Sequence, residues 1–212
     1  MMRIVDGDVI VFQGDSITDA GRDRADEKEL GSGYANMVAA WFAASCPEKK
    51  VTFYNRGISG NRAVDVSSRW KEDTLSLKPT IVSLLVGIND TWRRYKTNDP
   101  TSVEAYETHV RDILQKTQSS CDATILLLEP FVLPIPEDRK EWREDLDPKI
   151  HALRQLAVEF NTIYVPLDGI FASVCPQKPA AFWAEDGVHP SAAGHALIAQ
   201  TWLQAMGITT EQ

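Results

Sequence analysis

Apolar residues gather along the chain in short, nearly unbroken runs at positions 9–12, 51–54, 81–86, 124–128 and 162–165. These runs are rich in β-branched residues and lack the strict alternation of a half-exposed strand. That is the pattern of strands buried on both faces of a parallel sheet. Between the runs, apolar positions recur at one-turn spacing. Met37, Val38, Trp41 and Phe42 mark a helix that Pro47 stops, and Val103, Tyr106, Val110, Ile113 and Leu114 mark a second. Ile150, Leu153, Leu156, Ala157 and Phe160 mark another. A final helix starts at Pro190-Ser191, carries Leu197, Ile198, Trp202 and Met206, and is capped by Gly207. Stripes of this kind pack against a core more often than they build a cofactor box.

Strand-like and helix-like segments thus alternate. The alternation predicts right-handed crossovers and helices on both faces of the sheet. The expected architecture is a three-layer α/β/α sandwich around a five-stranded parallel sheet, of flavodoxin-like type. With 212 residues, no repeat and no low-complexity tract, positions 1–212 are expected to form a single domain. Positions 129–147, rich in Pro and charge, are the least regular stretch. They read either as a mobile loop near a site or as a plain surface excursion.

A chain that is 43% hydrophobic and 25% charged has the make-up of a water-soluble globular protein. Its formal net charge of −8 argues against nucleic acid or an anionic membrane as partner, since both are polyanions. No apolar run is long enough to span a bilayer. The first eight residues carry acids where a signal peptide would carry its apolar stretch, so a cytoplasmic location is expected. Cys46, Cys121 and Cys175 are widely spaced and form no CxxC, which suits reduced thiols. No cofactor and no metal site is expected. His109, His151 and His195 fall inside helical patterns, in helix-surface or interhelical roles.

Gly14-Asp15-Ser16-Ile17 follows the first apolar run and puts Ser16 at the carboxyl end of the first strand, where open α/β sheets bind ligands. A seryl hydroxyl needs a base to take its proton, and an imidazole needs a carboxylate to hold its tautomer. Asp186-Gly187-Val188-His189 supplies both in one turn ahead of the last helix. Taken singly, Ser16 as a helix cap, Asp186 as a turn former and His189 as a helix-start residue are equally good readings. Asn55-Arg56-Gly57-Ile58-Ser59-Gly60-Asn61 follows the second strand, where the glycines permit a bend that aims the Gly60 N–H at a developing oxyanion. Gly87-Ile88-Asn89-Asp90 follows the third strand, and the Asn89 amide and the Ser16 N–H would be further donors. Glycine turns with a capping Asn are the plainer alternative.

Gly14-Asp15-Ser16-Ile17-Thr18, Gly57-Ile58-Ser59-Gly60-Asn61, Gly87-Ile88-Asn89-Asp90 and Asp186-Gly187-Val188-His189-Pro190 together resemble the four sequence blocks of the SGNH (GDSL) hydrolases, in family order and across nearly the whole chain. The resemblance implies Ser16 as nucleophile, His189 as general base and Asp186 as its orienter. It also implies an oxyanion hole of Ser16, Gly60 and Asn89. Like that family, the chain lacks Gly-x-Ser-x-Gly. Gly33-Tyr34, Asn55 to Asn61, Arg69-Trp70-Lys71-Glu72-Asp73 and Ile88-Asn89-Asp90-Thr91-Trp92-Arg93 resemble, more narrowly, the bacterial acetylxylan-esterase branch, which removes acetyl groups from xylan and xylo-oligosaccharides. That branch often has an aromatic beside the catalytic Asp, where this chain has Glu185, with Phe182 and Trp183 slightly earlier.

The resemblance implies a metal-free serine esterase for acetylated carbohydrates, working through an acyl-enzyme. Asp15, Arg56, Trp92 and Trp183 are the expected substrate contacts, with Phe182, Arg62 and Arg93 nearby in sequence. The aromatics are suited to stacking on pyranose faces or to covering the site. Surface ion pairs are the alternative for the arginines, and structural hydrogen bonding is the alternative for Asp15 and for Asp90. A lysophospholipase- or thioesterase-type lipid esterase is the rival enzyme, and a non-catalytic carbohydrate-binding module the rival without chemistry. Exposed aromatics leave room for a homo-oligomer.

Overall fold

The chain is described by a computed structural model over residues 3–208. Five strands form one parallel sheet: β1 (Val9–Gly14), β2 (Thr52–Asn55), β3 (Ile81–Leu85), β4 (Thr124–Leu128) and β5 (Ile163–Val165), in the order β2-β1-β3-β4-β5. The helices are α1 (Ser16–Asp19), α2 (Tyr34–Ser45), α3 (Ala63–Ser68), α4 (Trp70–Asp73), α5 (Ile88–Thr97), α6 (Val103–Ser120), α7 (Arg143–Glu159), α8 (Leu167–Val174), α9 (Ala180–Trp183) and α10 (Ala192–Ala205). The strand expectations hold to within two residues. The second strand is shifted one residue onward because Phe12 pairs with Asn55, so Asn55 ends β2 level with the interior of β1.

Two apolar layers explain why the strand runs are continuous rather than alternating. Ile10, Phe12, Ile81, Leu85, Leu126 and Leu128 face Val38 and Phe42 of α2 and Ile198 and Trp202 of α10. Val82, Leu84, Ile125 and Leu127 face the other way, onto Val66, Trp70, Val110, Leu114 and Leu156. Both faces of β3 are therefore buried, as a parallel sheet between helix layers requires. The Phe12 ring meets Tyr34 edge-on at 5.6 Å, and burying a side chain of this size stabilises the fold by about 2–3 kcal/mol. Two indole N–H groups caught in the layers are paired: Trp202 Nε1 donates to Ser83 Oγ at 3.0 Å, and Trp70 Nε1 to Thr117 Oγ1 at 3.0 Å. Among the described residues no helix is long and apolar enough to cross a membrane.

The stretch 129–147 departs from a surface excursion. Phe131, Val132, Leu133 and Trp142 are buried in the core, and α7 begins at Arg143, before the irregular stretch was expected to end. Pro148 lies inside α7. Trp142, Leu146 and Ile150, four residues apart, place one buried stripe along this turn and outweigh the local Pro and charge content.

Candidate active site

The order β2-β1-β3 reverses direction between β1 and β3, and in open sheets of this kind the ligand crevice lies at that switch, outside the carboxyl ends of the strands. Ser16 follows β1 and Asn89 follows β3, so both stand at the switch. Asp15 caps α1, accepting the Ile17 N–H at 3.0 Å, and this fixes the turn that presents Ser16.

Ser16 Oγ lies 3.0 Å from His189 Nε2, and His189 Nδ1 lies 2.7 Å from Asp186 Oδ2. The other carboxylate oxygen of Asp186 accepts the backbone N–H groups of Val188 at 2.9 Å and His189 at 2.8 Å. With Asp186 fully used as an acceptor, Nδ1 carries the imidazole proton and Nε2 is left to accept from Ser16. Burial alone would raise the Asp186 carboxyl, but the His189 hydrogen bond and the two N–H donors outweigh it and hold it well below the usual range. The same hydrogen bond raises the His189 pKa, against the opposing effect of burial. The His189 side chain is 48% exposed, so solvent and an incoming molecule reach it.

The turn that carries His189 is braced. Ser191 caps α10 through Gly194 N at 3.2 Å, and Ser191 N donates to the Trp183 carbonyl at 2.8 Å. Leu133 N donates to the Gly187 carbonyl at 2.8 Å, so the 129–136 segment backs the Asp186–His189 turn. Arg139 adds to this. It is almost fully buried, its Nε donates to the Asp186 carbonyl at 3.3 Å, and its guanidinium lies over Trp142 at 4.0 Å and Trp92 at 5.0 Å. Trp92 in turn meets the His189 ring edge-on at 5.8 Å. Sequence reasoning missed Arg139 and Trp142, because nothing local marks a charge-rich stretch as the backing of a site.

The anion-hole candidates are held by their neighbours. Asn61 N donates to the Ile58 carbonyl at 3.1 Å, and Gly60 between them has φ +83°, which suits the third position of a type II turn. Such a turn leaves the Gly60 N–H outside its own hydrogen bond. Asp19 secures the same loop, accepting Ser59 N at 3.0 Å and Ser59 Oγ at 3.1 Å. Gly57 is pressed against α1: a Cβ there would stand 2.3 Å from Asp19 N. Asn89 Nδ2 donates to the Asn61 carbonyl at 3.1 Å, which joins the β3 loop to the β2 loop.

The expected substrate contacts fare unequally. Trp92 lines the His189 ring. Trp183 is half-buried against the core, with its neighbour Phe182 47% exposed beside it. Arg56 is engaged by Glu27 at 3.5 Å and by the face of Tyr54 at 5.4 Å rather than by the Ser16–His189 pair. Asp15, contrary to the expectation that it contacts substrate, is fully buried and cannot touch one. Burial pushes its carboxyl up to about 7 against the Ile17 N–H and His189, and one of its oxygens has no partner among the described residues. Burial likewise pushes Asp90 up to about 6 despite its bond from Ala63 N. An unpaired carboxylate at such depth is costly, and a retained proton removes the cost. No group of three or more His, Cys, Asp or Glu among the described residues is placed to hold a metal ion.

Residues 12–197 match the GDSL-like lipase/acylhydrolase family. The chain is 34% identical to an acetylxylan esterase of Geobacillus stearothermophilus, over 97% of each chain. Among solved structures it is similar to LAE5, an alpha/beta hydrolase enzyme from the metagenome of Lake Arreo, Spain, with 32% identity, a TM-score of 0.91 and full coverage of both chains. It is also similar to a catalytic mutant of Axe2, an acetylxylan esterase from Geobacillus stearothermophilus, in which a serine is changed to alanine: 32% identity, TM-score 0.89, full coverage of both chains.

Proposed function

The chain belongs to the GDSL-like lipase/acylhydrolase family and is a carboxylic ester hydrolase; from that premise we propose that it is a serine esterase that removes acetyl groups from acetylated xylo-oligosaccharides or related sugars. The observation that carries the chemistry is the continuous chain from Ser16 Oγ to His189 to Asp186, at 3.0 and 2.7 Å. The sugar acetyl substrate rests on the similarity to the acetylxylan esterase and on Trp92 flanking His189.

In this reading, Ser16 Oγ attacks the ester carbonyl carbon as its proton passes to His189 Nε2. Asp186 stabilises the imidazolium that forms. The carbonyl oxygen becomes an oxyanion received by the N–H groups of Ser16 and Gly60 and by the Asn89 amide, and such donors count most where charge develops. Collapse breaks the bond to the sugar oxygen, which leaves with the proton from His189. Water then attacks the acyl-enzyme, giving its proton to His189, and acetate and free Ser16 result.

The test is acetate release from acetylated xylo-oligosaccharides. Wild type should turn them over and should prefer acetyl to octanoyl in p-nitrophenyl esters. Ser16→Ala should lose nearly all activity with its circular dichroism unchanged. Full turnover by Ser16→Ala would overturn the mechanism, and rates rising toward octanoyl would overturn the substrate.

A further inference from the structure

One polar group at the crevice is left without a part in that mechanism. Arg69 stands between α3 and α4 with its side chain 16% exposed, and its guanidinium is spent on the loops around Ser16. Nε donates to Asn61 Oδ1 at 2.8 Å, and Nη1 to the Arg56 carbonyl at 2.9 Å. Nη2 donates to the Gly14 carbonyl at 3.3 Å, two residues before Ser16. Nη1 also pairs with Asp73 Oδ2 at 2.8 Å, one helical turn onward. An i,i+4 ion pair alone stabilises only weakly and would leave the rest of the fork to solvent. Here the remaining donors go to three neutral oxygens on two loops. A planar fork of five fixed N–H groups suits this task, and an ammonium does not.

The third loop joins through Asn61. Its Oδ1 is held by Arg69, and its backbone carbonyl takes one of the two Nδ2 hydrogens of Asn89. The second Nδ2 hydrogen is then left for another acceptor. Other ties to these loops do different work. Asn55 and Asp19 bind the Gly57–Ser59 segment to α1, Arg93 reaches the Gly60 carbonyl at 3.1 Å, and Ile58 N donates to the Gly14 carbonyl at 3.1 Å; none of these bonds is to Asn61 Oδ1, which Arg69 holds.

We propose that Arg69 is a positioning residue for one oxyanion donor, the Asn89 amide: by holding Asn61 Oδ1 it fixes the Asn61 carbonyl to which Asn89 Nδ2 donates. The proposal rests on the serine esterase reading above. Its effect falls on the transition state, because substrate binding needs no oxyanion donor. Its test is a double-mutant cycle of Arg69→Ala with Asn89→Ala, read in kcat and KM for p-nitrophenyl acetate and in the rate at which a fluorophosphonate labels Ser16.

Arg69→Ala should lower kcat and the labelling rate by about 10- to 100-fold, with KM within about twofold and the pH profile unmoved. In the Asn89→Ala background the same substitution should cost less than about threefold, since the group it orients is gone. If Arg69→Ala does not fold, Arg69→Lys carries the same cycle, because lysine keeps a partner in Asp73 but cannot span the three carbonyl-type oxygens. Full kcat in the variants, or equal losses with and without Asn89, overturns the proposal. A wild type that neither hydrolyses esters nor takes up the label overturns the esterase reading and this one with it. A reactive wild type with equally reactive Arg69 variants overturns this one alone.

Discussion

Replacing Asp186 by Asn tests the site at its most constrained point. Asp186 Oδ1 accepts two backbone N–H groups, from Val188 at 2.9 Å and His189 at 2.8 Å, while Oδ2 meets His189 Nδ1 at 2.7 Å. An asparagine has one oxygen, and it satisfies both backbone donors only by turning its NH2 toward Nδ1. That ring nitrogen must then accept, so the imidazole proton moves to Nε2. The hydrogen bond to Ser16 Oγ reverses, and the base has no lone pair for the serine proton. Loss of the correct tautomer in triads of this kind costs on the order of 10⁴-fold in kcat. Asp186 is 39% exposed here, so water competes with the wrong arrangement. The expected loss is therefore about 10³- to 10⁴-fold, about 4–5.5 kcal/mol of transition-state stabilisation. The pH profile adds a second readout. His189 works as a base only when neutral, and Asp186 raises its pKa, so wild-type kcat/KM should rise through a pKa above 6.5. In Asp186→Asn that limb should move to lower pH. Initial rates with p-nitrophenyl acetate from about pH 5 to 9, beside a thermal melt to show the fold intact, measure both. A variant within about tenfold of wild type, or one whose acid limb does not move, would refute the assigned tautomer.

Three further outcomes are expected. Asn89→Ala should lower kcat about 10²- to 10³-fold with KM nearly unchanged, the usual cost of one missing oxyanion donor; an effect confined to KM would assign Asn89 to ground-state binding. Gly57→Ala drives a Cβ to 2.3 Å from the Asp19 backbone nitrogen, whereas at Gly60 a Cβ meets nothing within 4 Å and only the positive φ resists it. Melting curves should show Gly57→Ala losing about 3 kcal/mol and Gly60→Ala nearer 1 kcal/mol, and the reverse order would refute the packing of that loop on α1. His195 accepts the Tyr34 N–H through Nδ1 at 3.2 Å, and burial pushes its pKa down to about 4, below the 6.5 of the unfolded chain. Between those values the unfolded state binds more protons, so the neutral ring's contribution is present above pH 6.5 and is lost as pH falls toward 4. Denaturant titrations across that window should show a shallower acid decline for His195→Asn than for wild type; parallel declines would count against a buried neutral ring.

What the chain revealed in advance was what short stretches encode. The strand runs were legible because burial on both faces leaves continuous apolar segments, and the convergence of the candidate residues because Ser16, Gly60, Asn89 and the Asp186–His189 turn each follow a strand or precede a helix. The burial of Asp15 was not legible: whether a carboxylate beside Ser16 points up or down is settled by its bond to Ile17 N and by the core below. Arg69 was visible only as part of a run without a task, since apart from Asp73 one turn on its acceptors are carbonyls and an amide 8 to 55 residues away. Arg139 and the early start of α7 were hidden for a like reason. Trp142 and Leu146 form a buried stripe only once the rest of the core exists to receive them.

The 173-residue separation between Ser16 and His189 means that the two belong to different parts of the fold; His189 leads into α10, which lies against α2. The His195 bond to Tyr34 N is one of the fasteners of that seam. Hydrolysis thus works as a built-in gauge of whether the seam is closed. Prising α10 loose would disarm Ser16 while the β-sheet stayed intact, so on heating, catalysis should fade before the secondary structure does.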